Sequence, residues 1–345
     1  MRIELVVFGI IALFVVGMTF LVNVPVVEMI SALPNLGKAP ELAGITGWIN
    51  SEPLKIEGLR GKVVLIDFWT YSCINCIRTL PYITSWHEKY SGKGLVIIGV
   101  HTPEFEFEKY YNNVLDAVER YGIKYAVAQD NNYETWRAYK NNYWPRKYLI
   151  DKDGNIRFDH IGEGAYQETE KAIQDLLGEI NSGISTQTTP ISTDTDYSRI
   201  GTPELYLGYS FARAPLGNPE GFSPGNMVDY KEIQPTAPNI IYLSGKWKNE
   251  ADRIISVGNP KLFLIYKAKK VNIVAGGNSR IKILLDGKPL EQSSLGEDTK
   301  LENGNPIVII DSQRLYNIVS APDYGSHTLE IQAEAGFELY TFTFG

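Results

Sequence analysis

Residues 61–76 read Gly61-Lys62-Val63-Val64-Leu65-Ile66-Asp67-Phe68-Trp69-Thr70-Tyr71-Ser72-Cys73-Ile74-Asn75-Cys76. The β-branched and aromatic run predicts a strand near 62–69, and the stretch after it predicts a helix from about 73 to 90. Cys73 and Cys76 fall where the strand hands over to the helix, and they are the only two cysteines in 345 residues. Two thiols three positions apart can close a small disulfide ring. Unpaired N–H groups and the positive dipole end of the helix favour the thiolate of the first. The pair therefore points to dithiol–disulfide chemistry. A structural zinc site needs about four ligands, whereas His87, His101, His160 and His327 are scattered without knuckle spacing. A purely structural disulfide across so short a loop contributes little by chain entropy. No metal and no organic cofactor is expected.

Asp67 is the one acid inside the apolar strand. A charged carboxylate buried there costs several kcal/mol unless paired. That predicts a raised pKa and a role as proton acceptor for the more buried second thiol, Cys76. The alternative is that Asp67 faces out at a strand edge. Trp69 lies beside the site, as packing or as a surface for substrate.

Ile66-Asp67-Phe68-Trp69-Thr70-Tyr71-Ser72-Cys73-Ile74-Asn75-Cys76 resembles the V-D-F-W-x-x-x-C-x-x-C segment of the thioredoxin fold. Tyr143-Trp144-Pro145-Arg146-Lys147-Tyr148-Leu149-Ile150-Asp151-Lys152-Asp153-Gly154-Asn155-Ile156 resembles that family's cis-proline strand and following hairpin. By this resemblance Pro145 is cis and lies opposite the cysteines, and Trp144 and Pro145 border the bound substrate peptide. Sequence alone requires only that Pro145 opens a strand. More narrowly, the chain resembles the membrane-anchored TlpA/ResA group and above all the redoxin and C-terminal β part of DipZ-type proteins. Gly162-Glu163-Gly164-Ala165-Tyr166-Gln167-Glu168-Thr169-Glu170 belongs to the same pattern. Asn75 stands where thioredoxin has proline, and Ser72 where it has tryptophan. Residues around the dithiol set its potential across this fold, so the direction of electron flow does not carry over. DipZ-type proteins usually carry a polytopic membrane domain ahead of this segment. If that domain is the family's electron donor, a separate membrane electron donor is expected for this chain.

From Leu5 to Val27 no residue is charged, and these 23 residues suffice to cross the roughly 30 Å hydrocarbon layer. Ser31-Ala32-Leu33 is a poor cleavage site, so a retained single-span anchor is expected, with a cleaved signal as the alternative. Either places Cys73 and Cys76 outside the cytoplasm. The formal net charge of −7 argues against nucleic acid and anionic lipid surfaces as partners, leaving the membrane contact to the N-terminal helix.

The expected organisation is an anchor over residues 1–30, a tether over 31–52 and an α/β thioredoxin-like domain over 53–180. A Ser/Thr-rich linker over 181–200 and an all-β jelly-roll or sandwich domain over 201–345 complete it. Within the α/β domain, Phe105 to Val118 predict one helix over roughly 105–121. The last region shows about eight short runs, including Leu262–Tyr266, Val271–Val274, Leu315–Val319 and His327–Gln332, separated by turn signals such as Asp286-Gly287. It resembles carbohydrate-binding modules in architecture. Trp247, Tyr206, Tyr209 and Phe211 are candidates for a sugar-stacking platform, with core packing as the alternative.

The leading expectation is an extracytoplasmic, membrane-anchored thiol–disulfide oxidoreductase acting on protein disulfides through Cys73, Cys76 and Asp67. By analogy with ResA-like relatives, cytochrome c apoproteins are among the candidate substrates. A thiol peroxidase is weaker: Thr70 stands three residues before Cys73, but position 66 is Ile where peroxiredoxins have Pro. An anchored glycan- or partner-binding protein is the remaining alternative.

Overall fold

The computed structural model describes residues 33–191 and 195–345. The anchor expected over residues 1–30 lies outside them. Among the described residues no helix is long and apolar enough to cross a membrane.

The first half alternates strands and helices: β1 (Gly47–Ile49), β2 (Val63–Trp69), α1 (Ile74–Tyr90), β3 (Leu95–His101), α2 (Tyr111–Arg120), β4 (Ala126–Gln129), α3 (Glu134–Ala138), β5 (Arg146–Ile150), β6 (Ile156–Ile161) and α4 (Tyr166–Gly178). The six strands form one sheet in the order β1-β4-β3-β2-β5-β6. β2 and β4 run parallel to β3, while β5 and β6 add an antiparallel hairpin. All seven residues of β2 are buried, as a central strand covered on both faces requires. Its Ile66 and Phe68 pack with Ile98, Val100, Trp136 and Tyr148.

One expectation needs correction here, and two connecting segments gain detail. Of the tether expected over 31–52, the described residues 33–52 are held against the sheet: β1 pairs with β4, and Leu36 and Ala39 donate backbone hydrogen bonds to Ile156 and Gly154. The helix expected over 105–121 is broken into a single 3-10 turn, Glu106–Lys109, followed by α2. Before residue 192 the expected linker touches the redox domain, where Thr189 N donates to Glu170 at 2.6 Å and the Tyr82 hydroxyl donates to the Ile191 carbonyl at 2.9 Å.

The second half is a β-rich sheet domain: β7 (Leu205–Tyr206), β8 (Met227–Tyr230), β9 (Ile241–Asn249), β10 (Ile254–Gly276), β11 (Ser279–Leu285), β12 (Lys288–Pro289), β13 (Thr299–Glu302), β14 (Asn305–Ile310), β15 (Arg314–Ala333) and β16 (Glu338–Phe344). Hydrogen bonds link all ten into one network. The short runs Leu262–Tyr266 and Val271–Val274 belong to a single 23-residue strand, β10. Leu315–Val319 and His327–Gln332 belong likewise to the 20-residue β15. Register shifts at Ala268/Lys270 and Val271/Asn272 are irregularities of the kind that bend a strand without ending it. Trp247 is fully buried in this domain's core, and its indole N–H donates to the Ser244 carbonyl at 3.2 Å. Trp247 therefore offers no face to a sugar ring, and Tyr206 is buried as well.

The two halves meet at an aromatic seam. Phe105 and Phe107, from the broken helix, are buried against Tyr340, with ring centroids 5.2 and 4.8 Å away. Phe105 also packs on Phe211 at 5.7 Å and on Tyr206 at 6.3 Å. The helix expected to feed the α/β core thus feeds the interface between domains. Beside it, the Tyr206 hydroxyl lies 2.7 Å from Glu104 Oε1 and 3.1 Å from Glu204 Oε2. One hydroxyl donates one proton, so the second contact needs a protonated carboxyl. Burial pushes Glu104 up to about 8, helped by the neighbouring Glu108 and Glu204 and opposed by the Tyr206 hydrogen bond and by Arg213.

Candidate active site

Cys73 caps α1. Its Sγ accepts the backbone N–H of Cys76 at 3.4 Å, so the thiol sits on one of the helix's otherwise unpaired donors. Both thiols are free; Cys73 is half-buried and Cys76 buried. Burial, then the hydrogen bond and charge of Cys73, raise the Cys76 thiol well above its ordinary range, and Asp67 adds to this. The accessible sulfur is thus the first, and the second is held protonated behind it.

Asp67 lies in the central strand, 1% exposed, opposite Lys147 of β5 and Gly99 of β3. Burial raises its carboxyl to about 6, with Lys147 pulling the other way. Lys147 is itself fully buried, and burial lowers its ammonium while Asp67 and Cys76 oppose that shift. Its Nζ donates to the Gly162 carbonyl at 3.3 Å. A buried carboxyl, a buried ammonium and a buried thiol therefore share one low-dielectric region, where moving a single proton changes the charge on all three.

The loop before Cys73 is clamped from below. The Ser72 hydroxyl donates to Glu108 Oε1 at 2.6 Å, while Oε2 of the same carboxylate accepts the backbone N–H groups of Glu104 and Phe105. Glu108 is fully buried, which raises its pKa against the pull of these donors. His101, also fully buried, is pushed down to about 3 by burial and is neutral; it stacks on Tyr71 at 5.6 Å.

Trp69 is fully buried, edge-on to His101 at 5.2 Å, and presents no surface to a substrate. Its indole fits because position 99 is glycine: a Cβ there would stand 2.9 Å from Trp69 Nε1 and 3.1 Å from the Tyr125 ring. Trp144 is half-buried, donating its indole N–H to the Thr102 carbonyl at 3.0 Å, and the Trp144–Pro145 bond is cis. The Pro145 carbonyl accepts the Gly162 N–H at 2.8 Å, which ties this loop to the one bearing Glu163. Among the described residues no cluster of three His, Cys, Asp or Glu side chains forms a ligand set for a metal.

The sequence reading missed Lys147, Glu108 and the Glu104–Tyr206 contact. Lys147 carried a usable signal, because a charge inside Arg146-Lys147-Tyr148-Leu149-Ile150 raises the same question as Asp67 does in its own strand. The Glu108 contact with Ser72 and the Tyr206 contact with Glu104 carried none, since those partners are distant in the chain.

Comparison with known proteins agrees with this geometry. Residues 61–156 match the family described as thioredoxin-like, and residues 202–345 match the family described as a thioredoxin-like C-terminal domain. The chain is 38% identical over 320 residues to Protein DipZ of Mycobacterium bovis, covering 91% of this chain and 44% of that protein. It is 30% identical over 128 residues to the thiol-disulfide oxidoreductase ResA of Bacillus cereus, covering 37% of this chain and 71% of that one. It is 28% identical over 140 residues to the thiol-disulfide oxidoreductase YkuV of Bacillus subtilis, covering 41% and 94%. The chain thus spans less than half the length of the DipZ relatives it matches.

Proposed function

This chain belongs to the thioredoxin-like family of thiol-disulfide oxidoreductases, and on that premise we propose that it reduces protein disulfides outside the cytoplasm through Cys73, Cys76 and Asp67. The observation that carries the assignment of roles is the asymmetry of the dithiol: Cys73 is partly accessible at the helix N-terminus, while Cys76 is buried with a raised pKa beside Asp67.

Cys73, as thiolate, attacks one sulfur of the substrate disulfide. A mixed disulfide forms, and the first substrate thiolate leaves. Cys76 then passes its proton to Asp67 and attacks the Cys73 sulfur, releasing the second substrate thiol. Two electrons move to the substrate, and the enzyme is left with a Cys73–Cys76 disulfide. Lys147 holds Asp67 partly ionised, so a base is available despite burial. Turnover needs an external source of two electrons, for which a membrane-bound donor is suited. The uncharged stretch Leu5–Val27 supports a membrane anchor that places both domains on the outer side. Apocytochrome c is one candidate substrate, on the strength of the ResA likeness alone.

Replacing Cys73 with Ser abolishes disulfide reduction, and Cys76→Ser accumulates mixed disulfides with substrate. Undiminished activity in Cys73→Ser would overturn the assignment. The potential of the couple decides direction: a value near the roughly −270 mV of thioredoxin fits a reductant, and one near the roughly −120 mV of DsbA refutes it.

A further inference from the structure

A cleft of about 530 Å³ opens beside the dithiol. One wall is the redox domain: Ile74 and Asn75, the two residues between the cysteines, then Arg78 and Glu163. The other wall is the start and the end of the β domain, including Pro203, Glu204, Thr343 and Phe344. Its volume is in the range of sites that hold a ligand of a few residues.

Three features say what it holds. First, a sheet edge faces it. β7 pairs with β16 only at Thr341 and Phe342, so Thr343 and Phe344 continue along the cleft with no strand partner on that side among the described residues. Their other side is taken by Asn272 and Val271 of β10. Such an edge accepts an extended chain through main-chain hydrogen bonds. Second, Thr343 is 3% exposed, and its hydroxyl has no hydrogen-bond partner. A buried hydroxyl left unpaired is costly, and a peptide amide would satisfy it. Third, the charges are set. Arg78 is matched by Glu163 through two contacts of 2.9 and 2.8 Å, while Glu204 lines the cleft half-buried with its carboxyl against the Tyr206 hydroxyl. The cleft therefore offers no unmatched cation to an acidic segment.

We propose that this cleft binds an extended, uncharged or basic segment of the polypeptide whose disulfide Cys73 attacks, with the β domain as the second wall. The β domain is then part of the substrate site rather than a separate binding module. This rests on the reading of Cys73 as the attacking thiol, and the test separates the two.

The full chain, recycled by dithiothreitol, is assayed on a lysine-flanked peptide disulfide, its glutamate-flanked counterpart and hydroxyethyl disulfide. The last is too small to span the cleft and serves as internal reference. The wild type favours the lysine peptide over the glutamate peptide at least fivefold more than dithiothreitol alone does. Pro203→Trp, at an exposed position on the rim, lowers the ratio of kcat/KM for the lysine peptide to that for the reference about tenfold, through KM. The near-isosteric Thr343→Val lowers the same ratio about threefold. Unchanged ratios in both variants overturn the cleft assignment, as does a wild type that reduces the small disulfide but neither peptide. Failure of the wild type on hydroxyethyl disulfide refutes instead the role given to Cys73.

Discussion

Glu104→Gln probes the contact that joins the two domains. In the folded protein Glu104 titrates near 8, against 4.5 for its ordinary value. The folded state therefore holds a proton that the unfolded chain has lost. Stability contributed here is greatest below pH 4.5, falls as pH rises, and levels off once pH passes 8. At about 1.4 kcal/mol per pH unit, the penalty is roughly 3 kcal/mol at pH 7 and about 5 above pH 8. Both are upper limits, because Glu104 is only partly buried and solvent screens it. Glutamine keeps a neutral side chain with a carbonyl for the Tyr206 hydroxyl but cannot ionise. The variant is thus expected to match the wild type near pH 5 and to exceed it increasingly from pH 6 to 9. Urea midpoints, followed by tyrosine and tryptophan fluorescence across that range, measure the difference. Parallel curves for the two proteins between pH 6 and 9 would refute the shared-proton account of Glu104, Tyr206 and Glu204.

Asp67→Asn removes the base that accepts the Cys76 proton. The resolution step of the wild type accelerates as pH rises through about 6, and that inflection disappears in the variant, read by stopped-flow loss of a preformed mixed disulfide. Lys147→Met removes the charge that lowers the Asp67 pKa, so the same inflection moves above 6; an unmoved inflection contradicts the coupling. Phe107→Ala opens a cavity beneath Tyr340 and costs on the order of 3–5 kcal/mol, read as a lower urea midpoint. Digestion between residues 181 and 200 by added protease rises in step with that loss. An interface that resists this change shows that the aromatic seam does not hold the domains together.

The helix break at Phe105–Tyr110 shows where sequence periodicity misleads. Phe105, Phe107, Val114 and Val118 are all buried, yet only the last two lie on the continuous helix, α2. Apolar spacing reports that residues will be covered; it does not say by which element. Tyr206, Phe211 and Tyr340 cover the first two from more than 90 residues away. The β domain misled in the same way, because eight runs with turn signals between them read as eight strands. Bulges instead carry β10 and β15 past breaks at which the pattern loses its alternation.

What the sequence determined by itself was local: a strand ending near Trp69, a helix beginning at about Cys73, and the cysteine pair at its head, to which the structure adds the start at Ile74 and the Cys73 cap. Those features follow from propensities and capping among neighbouring residues, and they are enough to specify the dithiol and its family. The acid inside the strand was also legible, since a charge within an apolar run raises the question of its partner. Only the tertiary structure answered it, because the Asp67–Lys147 register is set by sheet pairing across 80 residues of chain. The same holds for the clamp of Glu108 on Ser72 and for the cleft walled by Thr343 and Phe344. Pairings of that kind depend on which surfaces the folded domains leave for one another, and no local pattern in the chain encodes that choice.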